Sequence, residues 1–177
     1  MQNNSDDSMK EILKDFVKEA ETEVNSAVET LEILEDEGQD FETHLSAVAA
    51  SIDRIMGAAQ TLSLDDIGFM TKLAKEISYK SIQLKDGKLF PIVVAVLLDT
   101  MEYLETMMSE LLTSGQKLNV QNLSNDTFKK RLRWLADKFK EVEHGSVQFK
   151  KDSSNSSSSA SPLNQNSIDD LLKQMGI

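Results

Sequence analysis

The chain has 177 residues, enough for one ordinary domain and a tail. It contains no cysteine and only two histidines, which excludes disulfides and thiolate metal sites and disfavours a zinc site. Its 30 acidic and 19 basic side chains give a net charge of −11, which repels phosphate backbones and disfavours a nucleic-acid partner. The longest apolar run, 92–98, is too short to cross a bilayer, and the first ten residues do not resemble a signal peptide. We therefore expect a cytoplasmic protein with no membrane partner.

Few helix breakers occur, since the whole chain has seven glycines and two prolines, and this favours an all-α fold. The first helix is predicted from about 6 to 36, with an apolar stripe at three- and four-residue spacing: Met9, Ile12, Phe16, Ala20, Val24, Ala27, Leu31 and Leu34. The second is predicted over 41–62, with Leu45, Val48, Ile52, Ile55, Ala59 and Leu62 as its core stripe.

Three further helices of the body are predicted from the same spacing. The third starts at the capping box Ser63–Asp66 and runs to about Leu84, and the fourth runs from Pro91 to about Leu112. The fifth extends from Ser124 to His144. Their inward residues are predicted to be Ile67, Met70, Leu73 and Ile77; Val94, Leu97, Met101, Leu104 and Met108; and Phe128, Leu132, Leu135, Phe139 and Val142.

Beyond the fifth helix the composition changes to Ser, Asn and Lys, which cannot build a core. We therefore predict three parts: a helical domain at 1–145, a flexible disordered linker at 146–166, and a peptide helix at 167–177.

The peptide helix is short and amphipathic. Ser167–Asp170 forms a capping box, and Gly176 can end the helix. Its apolar residues lie at i, i+3, i+4 and i+7: Ile168, Leu171, Leu172 and Met175. About ten residues are too few for a helix that is stable alone in water, which favours a ligand that folds into a partner's groove. The alternative is a terminal helix that docks on its own domain.

The segment 164–177, Asn-Gln-Asn-Ser-Ile-Asp-Asp-Leu-Leu-Lys-Gln-Met-Gly-Ile, resembles the C-terminal peptide of the CheZ family of chemotaxis phosphatases. In that family a Ser-rich linker leads to Val/Ile-Asp-Asp-Leu-Leu and a final Leu-Gly-Phe, where this chain has Met175 and Ile177. The resemblance implies that the tail binds a response regulator of the CheY type. The partner-binding residues would be Ile168, Asp169, Asp170, Leu171, Leu172, Met175, Gly176 and Ile177.

Three stretches of the body, 16–20, 31–35 and 51–59, resemble the histidine phosphotransfer (HPt) domain of chemotaxis kinases. This implies an HPt-like antiparallel helical bundle with long first and second helices. The family's motif has a histidine three residues before a Lys-Gly pair, but this chain has Asp53, Met56 and Gly57 at those positions. Phosphotransfer in the family's manner is therefore not expected. A third hypothesis keeps phosphotransfer through an unexpected histidine, His44 or His144.

A second face of the second helix carries Ala49, Asp53, Gly57 and Gln60. If the receiver docks as it does on an HPt domain, Asp53 would face the phosphoaspartate, and Ala49 and Gly57 would leave room for close approach. Asp53 and Gln60 are the candidate catalytic residues, although they lie two turns, about 10.5 Å, apart along the axis. The alternative is that both are solvated helix residues.

Together, the two resemblances imply a CheZ-like protein that accelerates hydrolysis of the regulator's aspartyl phosphate. The receiver supplies the Mg²⁺, so we expect no cofactor or metal site of the protein's own. The alternative is a non-catalytic pseudo-HPt module that sequesters or localises the regulator. A homodimer is compatible with either function.

Overall fold

The computed structural model describes residues 3–37, 40–84, 86–114, 126–148 and 165–176. These residues form six helices and no strand, which confirms the predicted all-α class for the described part of the chain. The helices are α1 (Asn3–Glu37), α2 (Phe41–Thr61), α3 (Asp65–Leu84), α4 (Phe90–Ser114), α5 (Asp126–Gln148) and α6 (Gln165–Gln174). Most of the predicted linker, 149–164, lies outside the described residues.

The first four helices form a closed bundle. Each of α1, α2 and α3 packs against the next helix in the chain, and α4 packs back against α1. Short connections between successive helices reverse the chain direction, which makes sequence neighbours antiparallel. Helix α5 packs across α3 and α4, and α6 packs against α3 and α5. The bundle therefore presents α2 and α3 side by side on one face and carries α6 at the α3–α5 junction.

Where their side chains are described, the predicted apolar stripes form the core, except at the N-terminus and at the half-buried Leu62; the side chain of Val142 lies outside the described residues. From Phe16 onward the α1 stripe is buried, and Leu31 is 0% exposed. Met9 and Ile12 belong to the same stripe but are 53% and 44% exposed, so the prediction that they face the core is wrong. The reason is length: the 35 residues of α1 span about 52 Å, whereas the 21 residues of α2 span about 31 Å.

Several helix ends differ from those predicted by one to four residues. Helix α5 continues through Gly145 to Gln148, into the first residues assigned to the linker. Helix α6 begins at Gln165, so Ser167 lies in its first turn and not before it. Gly176 follows the helix with a left-handed φ of 74°, which confirms its predicted place at the C-terminal end.

Candidate functional site

Asp53 lies in the middle of α2 and is paired with a lysine of α3. Its Oδ1 is 2.6 Å from Nζ of Lys75, and the side chains are 36% and 28% exposed, respectively. The hydrogen bond from Lys75 to the Asp53 carboxylate raises the pKa of Lys75, so the ammonium group stays charged at neutral pH. The candidate site is therefore a partly accessible ion pair across the α2–α3 boundary, with Lys75 also 5.7 Å from the Tyr79 ring centroid.

Gly57 and Gln60 follow Asp53 along the exposed side of α2. Gly57 is exposed, and a Cβ built on it would meet no atom within 4 Å. The packing of this fold therefore does not require glycine there, and the surface at Gly57 is open. Gln60 is also exposed. Asp53 and Gln60 lie within one continuous helix, so their separation along its axis is about 10.5 Å, as predicted from the sequence.

Ala49 does not belong to this open surface. It is 1% exposed, so the prediction that it leaves room for a partner's approach is wrong. Four residues of an α-helix turn through about 400°, so each step from 49 to 53 to 57 rotates the side chain by about 40°. The drift is enough to turn Ala49 into the bundle while Asp53 reaches the surface.

A second ion pair holds α1 to α2 next to Asp53. Nε of Arg54 lies 2.7 Å from Oε1 of Glu23, and Nη2 of Arg54 donates to Oγ of Ser51 at 3.3 Å. The hydrogen bond from Arg54 lowers the pKa of Glu23. The pair borders a cavity of about 250 Å³ between the two helices, lined by Phe16, Glu19, Ala20, Thr22, Glu23, Arg54, Ile55 and Ala58. We interpret this pair as structural, because it fixes the packing of two helices.

No histidine side chain described in the structure lies near Asp53. His44 is in the first turn of α2, where its Nδ1 is 2.9 Å from the carbonyl oxygen of Asp40. Nine residues, or about 13.5 Å along the axis, separate it from Asp53. The side chain of His144, the other predicted candidate, lies outside the described residues.

Among the residues that the structure places, no group of three or more His, Asp or Glu side chains could hold a metal ion. In the same part of the chain, no helix combines the length and apolar character needed to cross a membrane.

The predicted partner-binding helix, α6, is docked on its own domain. The apolar residues Ile168, Leu171 and Leu172 of α6, and Met175 directly after its last turn, are only 1–6% exposed. Asp169 forms an ion pair with Lys140 of α5, with Oδ1 and Nζ 2.9 Å apart. Asp170 and Gly176 are exposed, while Ile177 lies outside the described residues. The apolar face that the sequence assigns to a partner is therefore covered by α3 and α5.

Sequence reasoning missed two residues that the fold brings to these surfaces, Lys75 and Lys140. For Lys75 a signal existed: in an antiparallel pair, residues at similar distances from the turn lie opposite each other, and the turn at 62–64 places 73, two residues before Lys75, opposite 53. For Lys140 there was none, because its partner Asp169 follows a long intervening segment.

Comparisons with models of protein families, with curated proteins and with solved structures found no match for this chain.

Proposed function

We propose that this protein is a CheZ-like phosphatase partner of a CheY-type response regulator. In this proposal the tail helix binds the receiver, and an HPt-like bundle accelerates hydrolysis of its aspartyl phosphate, which resets the signal to the flagellar motor. The observation that carries the proposal is the position of Asp53. In the resemblance to HPt domains, Asp53 occupies the position of the acceptor histidine. It is a partly exposed carboxylate whose Oδ1 is 2.6 Å from the ammonium group of Lys75.

The arrangement of the helices supports an HPt-like bundle. Four helices close into a ring, and the helix with Asp53 lies on its surface between α1 and α3. A receiver that docks across α2 and α3 would meet Asp53, Gly57 and Gln60 on one side and Lys75 on the other.

The Asp53–Lys75 pair is compatible with the predicted role of Asp53. A carboxylate that already pairs with an ammonium group can exchange it for the lysine of a receiver at little net cost, because one ion pair replaces another. Lys75 would then stay next to the phosphoryl group, where a fixed positive charge stabilises the negative charge of the transition state. The receiver's own Mg²⁺ would neutralise the remaining charge.

Gln60 would orient the attacking water. The two-turn spacing allows this if the phosphoryl group lies over Gly57, which is about 6 Å from Asp53 and 4.5 Å from Gln60 along the helix axis. The open surface at Gly57 supports this placement, since no atom lies within 4 Å of the Cβ position. A water held in line by an amide lowers the barrier through orientation alone.

The second candidate function is a non-catalytic module that sequesters the regulator. The two-turn separation of Asp53 and Gln60 favours this module, because two residues that act on the same phosphoryl group would be expected about one turn apart. Binding without any change in phosphate lifetime is the expected behaviour of that module.

The deciding measurement is the decay of the Mg²⁺-bound phosphorylated regulator in the presence of the full chain. We expect acceleration that falls on the order of tenfold or more in Asp53→Ala and in Gln60→Ala. Ser46→Ala is the matched control, since Ser46 is exposed and lies two turns from Asp53 in the opposite direction along α2. Unaltered decay with retained binding would instead establish the sequestering module.

A companion variant tests the tail without disturbing its docking on the body. Asp170 is exposed on α6, so Asp170→Ala leaves the buried face intact. We expect weaker regulator binding and slower decay at low protein concentration, with recovery when the protein is in excess. Lys173→Ala, at another exposed position of α6, is the control. Equal binding by Asp170→Ala and the unmodified chain would contradict a receiver-binding role for this side of the tail.

A further inference from the structure

Helix α6 uses the same side chains for docking on the body that it would need for binding a receiver. Ile168, Leu171, Leu172 and Met175 are 3%, 2%, 6% and 1% exposed. A helix-in-groove ligand binds through one apolar stripe of this kind, and α6 has no second one. The two modes of binding therefore exclude each other.

The body stabilises α6 as a helix. Ten residues are too few for a stable isolated helix in water, so its ordered state depends on the groove between α3 and α5. Backbone hydrogen bonds close its end, with the amide of Met175 donating to the carbonyl of Leu171 at 3.1 Å. If α6 left the groove, its four apolar side chains and the backbone hydrogen bonds of this short helix would become exposed to water.

An ion pair also joins α6 to α5 at the edge of the groove. Lys140 and Asp169 are 39% and 38% exposed and 2.9 Å apart at Nζ and Oδ1. Two residues earlier on α5, Lys138 forms an ion pair with Glu141 of the same helix, 2.6 Å away. Lys140 therefore contacts the tail, whereas Lys138 does not pair with it and can serve as a control for a change of charge on α5.

The connection to α5 allows the helix to leave. Residues 149–164 separate the end of α5 from the start of α6, and sixteen residues span at most about 55 Å. This reach exceeds the 35 Å length of α5, about 1.5 Å for each of its 23 residues. An undocked α6 can therefore reach a partner bound elsewhere on the bundle.

We propose that the groove between α3 and α5 is an internal binding site for the tail helix, and that it competes with the receiver for the four apolar side chains of α6. Competition with a receiver rests on the proposed function, whereas docking in the groove does not. The receiver's apparent affinity is then reduced by the fraction of molecules in which α6 is docked. Weakening the groove contact strengthens receiver binding without any change in the tail.

The first arm of the test measures amide hydrogen exchange of residues 168–175 in the full chain without a partner. We expect protection in the unmodified protein and exchange about three- to fivefold faster in Lys140→Glu, the scale of a lost, partly exposed ion pair. Lys138→Glu, which changes the net charge equally, should leave α6 protected. Lys140→Glu combined with Asp169→Lys should restore protection. Exchange in the unmodified chain as fast as in an unstructured peptide would overturn the internal site.

The second arm measures binding of the CheY-type regulator to the same proteins. The single variants at Lys138 and Lys140 keep the tail sequence unaltered. Lys140→Glu should bind about three- to fivefold more tightly, with Lys138→Glu unchanged. Faster exchange without tighter binding would overturn the competition. Absence of regulator binding in every variant, with α6 still protected, would remove the proposed function and the competition with it, and leave the docked helix established.

Discussion

At the scale of single residues, the Asp53–Lys75 pair links packing to the proposed chemistry. Both groups are partly exposed, so solvent screens their attraction and the pair contributes only modestly to folding. The inner oxygen of Asp53 is nevertheless enclosed and depends on Lys75 for its charge partner. Removing one group leaves the other without its charge partner, so the two losses should not add.

This asymmetry predicts the outcome of a double-mutant cycle. Lys75→Met and Asp53→Asn should each lower the free energy of unfolding by up to about 1 kcal/mol, and the double variant by less than their sum. Chemical denaturation measures all three. Lys72→Met, at an exposed lysine one turn earlier on α3, should leave the stability within about 0.5 kcal/mol. Strict additivity would show that the two groups do not interact in solution.

The Glu23–Arg54 pair predicts a pH dependence. Arg54 lowers the pKa of Glu23 in the folded state, so the folded chain binds the Glu23 proton less readily than the unfolded chain does. The stabilisation is present above the unfolded pKa of about 4.3 and is lost as the pH falls through the lower folded value. The free energy of unfolding should therefore fall less steeply between pH 5 and 3 in Glu23→Gln than in the unmodified protein. Parallel curves would contradict the pair, and Glu19→Gln, at an exposed carboxylate one turn earlier on α1, is the control.

At the scale of helices, an apolar stripe marks which face of a helix can be buried but not how far along it a partner extends. The stripe of α1 continues unbroken through Met9 and Ile12, yet burial begins at Phe16. The difference arises because α1 is longer than the helix packed against it. Burial, and therefore stability, follows the overlap between helices.

Two neighbouring residues of α1 test which face of the helix is buried where α1 and α2 overlap. Leu31 is 0% exposed and Ile33 is 46% exposed on the same helix. Leu31→Ala should lower the free energy of unfolding by about 2–5 kcal/mol, since it leaves a cavity in the bundle. Ile33→Ala should change it by less than about 0.5 kcal/mol. Thermal and urea unfolding would decide, and similar losses for the two variants would contradict the packing described for α1.

At the scale of the whole molecule, the tail is part of the folded unit in the docked state, whereas the proposed function requires it to bind an external partner. Docking adds the apolar face of α6 to the surfaces of α3 and α5. In the proposed competition the bundle stays folded when α6 leaves, so the free energy of docking sets an upper limit on what any change in the tail can cost.

A saturating effect on stability is therefore expected in the tail. Leu171→Ala and Leu172→Ala should each destabilise the chain, but the double variant should lose less than the sum, since an undocked helix has nothing further to lose. Unfolding by urea, followed by the fluorescence of Trp134 on α5, provides the readout. Losses that add without limit would show that α6 belongs to the core of the bundle.

Much of the fold could be predicted because helical periodicity is a local property. The five body helices, their buried faces from Phe16 onward and the glycine at the end of α6 each depend on residues within a few turns. The burial of Ala49 could not be predicted with the same certainty. A rotation of about 40° per four residues decides it, and the orientation of α2 is set by its neighbours.

The sequence by itself determined that the chain is helical, which residues can form its core and that the tail is an amphipathic helix with one apolar face. Only the tertiary structure decided what those faces contact: Lys75 pairs with Asp53, and α3 and α5 cover α6. The physical reason is range. Periodicity and capping act between residues a few positions apart, whereas the contacts of an ion pair or a docked helix depend on how distant segments are placed in space.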